Sequence, residues 1–289
     1  MAALDDEKVL ACVDRSRFAD CVADYGAWAA RRIGAPLEFL HVLDRHPERG
    51  SGDDHSGALG IDAQASLLSE LAEKDELRSR EARDAGRAFL ARLRERAGTA
   101  GAPEVDVRQR HGELEETLVE QARDVQLIVL GRRGRNAEVT QRDLGRNLER
   151  VVRALDKPIL AVTDDFVEPR RVMIAFDGSR LARKGVELVA GSRLFRGLPV
   201  HVVMSGRTRG DTGKDLDWAG RTLERAGYEA TTKLVPGDAE TVLAQYVREQ
   251  EIDLLIMGAY SHSPLRSLFL GSRTTDLLRS APIPTLLLR

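Results

Sequence analysis

Ten short runs of aliphatic and β-branched residues punctuate the chain, at 8–13, 37–43, 104–109, 126–130 and 158–163, and again at 171–176, 198–204, 229–234, 253–257 and 284–288. Their length and composition predict strands. Between them, apolar positions recur at helical spacing. Residues 17–32 put Phe18, Cys21, Val22, Tyr25 and Trp28 on one stripe, and 180–192 do the same with Leu181, Val186 and Val189. Residues 113–124 (Leu114, Leu118, Val119, Ala122) match 238–250 (Val242, Leu243, Tyr246, Val247) as amphipathic helices, and 145–155 and 271–280 predict the last helix of each series. Continuous apolar strands alternating with helices imply parallel sheets covered on both faces, joined by right-handed crossovers.

The pattern is written twice. Val125-Gln-Leu-Ile-Val-Leu-Gly131 is echoed by Ile252-Asp-Leu-Leu-Ile-Met-Gly258, and Val9–Asp14 by Val172–Asp177. The fold expected is α/β: two tandem, doubly wound, five-stranded domains, residues 1–165 and 166–289, with 164–170 as linker. Asp14 and Asp177 are 163 positions apart but Gly145 and Gly271 only 126, so the first half carries roughly 37 extra residues, in about 45–100. There, Pro47–Gly60 reads as a polar loop and 65–97 as a charged amphipathic helix, most simply a solvated extension. The apolar strands Pro158–Val162 and Pro284–Leu288 are expected to pair with each other, giving an internal pseudo-dimer with or without further homodimerisation.

Composition narrows the setting. A net charge of −2 provides no global field toward nucleic acid or an anionic membrane. No run approaches the length of a membrane span, and nothing reads as a signal peptide. The two cysteines, Cys12 and Cys21, lack metal-ligand spacing, and Cys12 reads as a packed strand residue. A reducing, cytoplasmic location is the expectation.

The candidate chemistry lies at the carboxyl ends of the strands, where ligands bind to open parallel sheets. In the second half, Asp177 ends the first strand and Gly258 the fourth. Gly258-Ala259-Tyr260-Ser261 leads, after nine residues, to Gly271-Ser272-Arg273-Thr274 at the start of a helix. Glycines there let a ligand approach the backbone, Ser272 can cap the helix, and the helix N-terminus favours an anion. No Walker or dinucleotide-binding glycine motif occurs.

On these residues the chain resembles the universal stress protein family, in its tandem two-domain form with an adenine nucleotide alpha hydrolase-like fold. The family's nucleotide-binding members carry Gly-x2-Gly-x9-Gly-[Ser/Thr] and an aspartate ending strand one. Carried over by position, the resemblance implies Asp177 near adenine or ribose and Val202 against adenine. It implies Met257, Gly258 and Tyr260 along the ribose side, and Gly271, Ser272, Arg273 and Thr274 on phosphates, with Mg²⁺ accompanying ATP. Ser261 stands where the motif has its second glycine. The first half keeps Asp14, Gly131 and Gly134, but ten residues precede Gly145 and Arg146 replaces the hydroxyl residue, so nucleotide is expected chiefly in the second half.

Blander readings stand beside these. Arg132, Arg133, Arg135, Arg142 and Arg146 read as a solvated basic loop balanced by Glu138, Asp143 and Glu149, with a phosphate or polyanion site as the alternative. His41 and His201, taken as equivalent strand positions, read as packed residues, and His262 lies in the phosphate loop. No catalytic set can be assembled. The resemblance therefore implies a stress-response protein that binds adenine nucleotide and acts by binding rather than turnover. The alternatives are a ligand-free scaffold or a slow ATPase.

Overall fold

Every predicted apolar run forms a strand: β1 (Lys8–Cys12), β2 (Leu37–Leu43), β3 (Val105–His111), β4 (Val125–Gly131), β5 (Ile159–Val162), β6 (Val172–Ala175), β7 (Val200–Ser205), β8 (Ala230–Val235), β9 (Leu254–Gly258) and β10 (Thr285–Leu288). The helices are α1 (Ala19–Ile33), α2 (Ile61–Thr99), α3 (Leu114–Gln121), α4 (Arg146–Ala154), α5 (Arg180–Gly191), α6 (Thr212–Arg225) and α7 (Ala239–Glu249). The structure, a computed structural model, describes residues 7–43, 61–133, 146–207, 212–259 and 283–289; within these, the side chains of 61–72, 74–75, 78–79 and 146–147 are not described. The expected loop at 47–60 and helix at 271–280 lie outside the described residues.

All ten strands join one sheet in the order β3-β2-β1-β4-β5-β10-β9-β6-β7-β8. Each half is parallel within itself, with strand order reversing between β1 and β4 and again between β6 and β9. The halves meet where β5 and β10 run antiparallel, Thr285 opposite Ala161, Leu286 opposite Leu160 and Leu287 opposite Ile159. This is the pairing their apolar character predicts: each strand would otherwise present an unpaired edge.

Strand alternation sends successive side chains to opposite faces, so two cores form. One lies under α1, α2, α5 and α6 and includes Tyr25, Trp28, Phe39, Leu93, Phe195 and Leu223. The other lies under α3, α4 and α7 and includes Leu118, Val151, Ile159, Leu243 and Leu287. Both run unbroken across the seam between the halves. At about 25 cal/mol per Å² of apolar surface, this two-faced burial is the main term holding the fold together.

The helix expected over 65–97 is α2, 39 residues and roughly 58 Å long. Its last third is docked: Leu90, Leu93 and Ala97 are buried, and Arg92 and Arg96 ion-pair with Asp20 and Asp24 of α1, each at 2.7 Å. Leu77, by contrast, is 58% exposed and lies outside that core. On α3, Val119 likewise faces solvent while Thr117 and Leu118 are buried.

Two features depart from the sequence reading. α6 went unpredicted, although Leu216, Ala219, Gly220 and Leu223 form a buried stripe. His41 and His201 are not equivalent. Register sets Cys12 beside Leu40 and Ala175 beside Val203, so His41 matches Met204, and His201 matches Glu38.

Candidate functional site

The two strand-order reversals place four predicted residues on carboxyl rims, two in each half, and because β5 and β10 run antiparallel the two rims lie at opposite edges of the sheet. In the first half, Val13 and Asp14 follow β1 beside Gly131 at the end of β4. In the second half, Phe176 and Asp177 follow β6 beside Gly258 at the end of β9. The backbone repeats: Val13 N–H donates to Leu40 O at 2.9 Å as Phe176 N–H donates to Val203 O at 2.9 Å. Arg132 N–H donates to Val162 O at 3.0 Å as Ala259 N–H donates to Leu288 O at 2.6 Å.

The aspartates are held differently. Asp14 Oδ1 accepts from the Ser16 backbone N–H at 3.2 Å and from the Ser16 hydroxyl. Asp177 Oδ1 accepts from Ser179 N–H at 2.9 Å, and Ser179 in turn caps α5 by accepting from Ala182 N–H at 3.2 Å. Asp177 Oδ2 is buried and has no hydrogen-bond partner among the described residues. A buried acceptor left unpaired costs about 1–3 kcal/mol, so this oxygen is poised to take a donor.

The turn after Asp177 depends on Gly178, whose φ is +75°, and on α6 above it. A Cβ on Gly178 would lie 2.7 Å from Asp215 Oδ2. Arg183 ion-pairs with Asp215, donates to Gly178 O at 3.3 Å and lies 4.6 Å over the Trp218 ring, which stacks near Phe176 at 6.5 Å and 20°. These α6 residues wall the second-half rim, and sequence reading missed them together with the helix. The signal available was the Leu216–Leu223 spacing.

The remaining predicted residues separate. Val202 is a mid-strand residue opposite Ile174, 0% exposed, in the core under α5 and α6. Met257 is buried in the opposite core, under α7. They lie on different faces of the sheet, so the expected adenine contact by Val202 does not hold as placed: β7 reaches the rim only at Ser205. Tyr260, Ser261, Gly271, Ser272, Arg273, Thr274, Gly134, Gly145 and His262 lie outside the described residues.

The basic loop also resolves differently. Arg132 is 7% exposed, donating to Ile283 O and to Thr285 Oγ1 (2.6 Å) across the seam; burial pushes its pKa down to about 10, which leaves it charged at neutral pH. Arg133 pairs with Asp164 at 2.9 Å. Arg135 and Arg142 lie outside the described residues, and the Arg146 side chain is not described. Both cysteines are free and buried. Burial pushes Cys12 up and Cys21 up to about 12, so neither thiol is a nucleophile at neutral pH. Among the described residues no group of three His, Cys, Asp or Glu side chains could hold a metal, and no helix is long and apolar enough to cross a membrane.

His41 supports the first-half rim from below. Its Nδ1–H donates to Val13 O at 2.9 Å, one residue before Asp14, and its Nε2 is buried without a hydrogen-bond partner among the described residues. Burial lowers its pKa, against smaller opposing contributions from the Val13 hydrogen bond and Asp14, with Arg15 lowering it further. Above pH ~6.5 the imidazole is neutral folded and unfolded, and titration adds nothing. As pH falls below that value the unfolded chain gains the proton first, so stability should fall by up to about 1.4 kcal/mol per pH unit until the folded pKa is passed. Urea melts of wild type and His41→Gln from pH 7.5 downward should show a steeper loss in wild type. Parallel curves would remove His41 as the source.

The universal stress protein family model matches residues 7–163 and again 168–289. The universal stress protein Slr1230 of Synechocystis sp. is 33% identical over 286 residues, spanning 98% of this chain and 100% of that protein. Among solved structures, a universal stress protein from Archaeoglobus fulgidus superposes with a TM-score of 0.69 at 18% identity, covering 99% of this chain and 97% of its own. A putative universal stress protein from Pseudomonas aeruginosa does so at 0.58 and 16%, covering 99% and 94%.

Proposed function

The chain belongs to the universal stress protein family, and from that premise we propose that it is a stress-response module that binds an adenine nucleotide at the rim of its second half and acts by binding rather than turnover. The observation that carries this is Asp177 Oδ2: a buried acceptor, unpartnered among the described residues, at the strand-order reversal beside the glycine that ends β9. An adenine amino group or a ribose hydroxyl supplies the donor it lacks, and its satisfaction on binding adds affinity. In the first half the Ser16 hydroxyl already engages the equivalent aspartate, which agrees with assigning the ligand to the second half. Mg²⁺ would arrive with ATP on its phosphates.

Isothermal titration of the full chain with ATP, ADP, AMP and adenosine tests this. Binding is expected, with Asp177→Asn weakening it by about tenfold or more, the worth of one hydrogen bond to a charged group. Asp14→Asn should leave it unchanged. Absence of binding up to millimolar nucleotide, or an effect at Asp14 instead of Asp177, would overturn the proposal.

A ligand-free scaffold is the second reading, and one observation favours it. A Cβ on Gly258 would lie 2.8 Å from Leu181 Cδ2, and one on Gly131 would lie 2.8 Å from Arg133 O. Close packing therefore accounts for both glycines without any ligand.

A further inference from the structure

The sheet ends at β3, whose outer edge has no strand beside it among the described residues. We propose that this edge pairs with the same edge of a second copy of the chain, antiparallel about a two-fold axis through Val107, to continue the sheet across a homodimer.

Backbone polarity sets what the edge offers. Leu37 N–H donates to Glu104 O, and Gly112 N–H donates to Leu43 O, so the even-numbered residues of this parallel ladder turn their groups toward β2. Val105, Val107 and Gln109 therefore direct their N–H and C=O outward. In an antiparallel pair centred on Val107 each of these gives and takes a hydrogen bond, Val107 with its copy and Val105 with the partner subunit's Gln109.

Side-chain charge selects that centre. About Val107, Asp106 stands opposite the partner subunit's Arg108, and Glu104 opposite the partner subunit's Arg110. Neighbouring centres set like charges opposite each other: Arg108 on itself, Asp106 on itself, or Arg108 on Arg110 when centred on Gln109. Directly opposed like charges are destabilising and opposite ones favourable.

The helix above the edge agrees with the same axis. Between α2 and β3 runs a groove of about 550 Å³ floored by Leu90, Ala91 and Val107, the last 38% exposed. Arg87 and Glu95 also line it, one four residues before Ala91 and one four after. A two-fold axis near Ala91 brings Arg87, now 3.6 Å from Asp84, to the partner subunit's Glu95. Two independent elements thus carry complementary charge about one axis, and an exposed apolar residue sits on it.

Sedimentation equilibrium on the full chain, from micromolar to several hundred micromolar, should show a monomer–dimer equilibrium that weakens with salt. Val107→Lys should weaken it by about tenfold or more with unchanged circular dichroism and melting temperature, because the position lies at an edge and its charge would meet its own copy. Glu104→Arg and Arg110→Glu should each weaken self-association, and mixing copies carrying one with copies carrying the other should restore it. A monomer at every concentration, including one whose edge takes a strand from another protein, would overturn the proposal. So would a dimer indifferent to Val107→Lys, or a mixture that does not recover.

Discussion

Arg132→Ala is expected to cost about 2–4 kcal/mol of stability, among the largest effects of any single substitution outside the apolar cores. Arg132 leaves β4 in the first half and lays its guanidinium across β5 onto the start of β10, reaching Ile283 O and Thr285 Oγ1. Thr285 is fully buried, and the seam it belongs to rests on a short antiparallel ladder. Truncation leaves the half-buried Ile283 carbonyl and the buried Thr285 hydroxyl without their donor and opens a cavity where the side chain lay. Arg132→Met should lose less. It fills much of the volume and removes the cost of burying a charge whose two partners across the seam are neutral, a cost visible in the lowered pKa. Thr285→Val should couple to Arg132→Ala by about 0.5–3 kcal/mol in a double-mutant cycle. Urea denaturation read by fluorescence and circular dichroism checks all three. A loss below about 0.5 kcal/mol for alanine, the usual range for surface changes, would return Arg132 to the solvated loop that composition suggests.

That misreading of Arg132 shows where sequence reasoning stops. An arginine beside other arginines and acidic residues is usually solvated, and its burial depends on acceptors 151 and 153 positions away. The inner strands needed no such distant knowledge, because strands buried on both faces must be apolar at nearly every position, and the runs say so; the edge strands β3 and β8 keep polar and exposed positions and show only short apolar stretches. The antiparallel seam followed for the same reason. α6 escaped because its buried stripe is completed by Ala219 and Gly220, small residues that carry little apolar signal, while Asp215, Asp217 and Arg221 dominate the window. Val202 and the histidines failed differently. Matching residue types placed them, whereas pairing with β6 sets the level of each residue on β7, and a shift along the strand moves a residue from rim to core. Asp14, Gly131, Asp177 and Gly258 were legible because strand ends and order reversals fix the rim whatever the register of the outer strands.

Gly258 then separates the two readings of the site. Alanine there should cost about 1–3 kcal/mol, since its Cβ would lie 2.8 Å from Leu181 Cδ2 and 2.9 Å from Leu181 Cγ. Leu181 belongs to the first turn of α5, the helix capped by Ser179, so it cannot retreat without shifting the turn that presents Asp177. Leu181→Ala removes the obstruction, and the double variant should be more stable than the two single losses predict, by about 0.5–3 kcal/mol of coupling. Packing is restored in that variant, but a Cβ still stands at the rim beside Asp177. If a nucleotide approaches the β9 backbone there, its affinity should remain about tenfold weaker than wild type while stability recovers to near that of Leu181→Ala, because only glycine lets a ligand meet the main chain. Wild-type affinity in the double variant would make Gly258 a packing glycine alone and move the ligand away from β9. Loss of stability without any coupling to Leu181 would contradict the close contact itself.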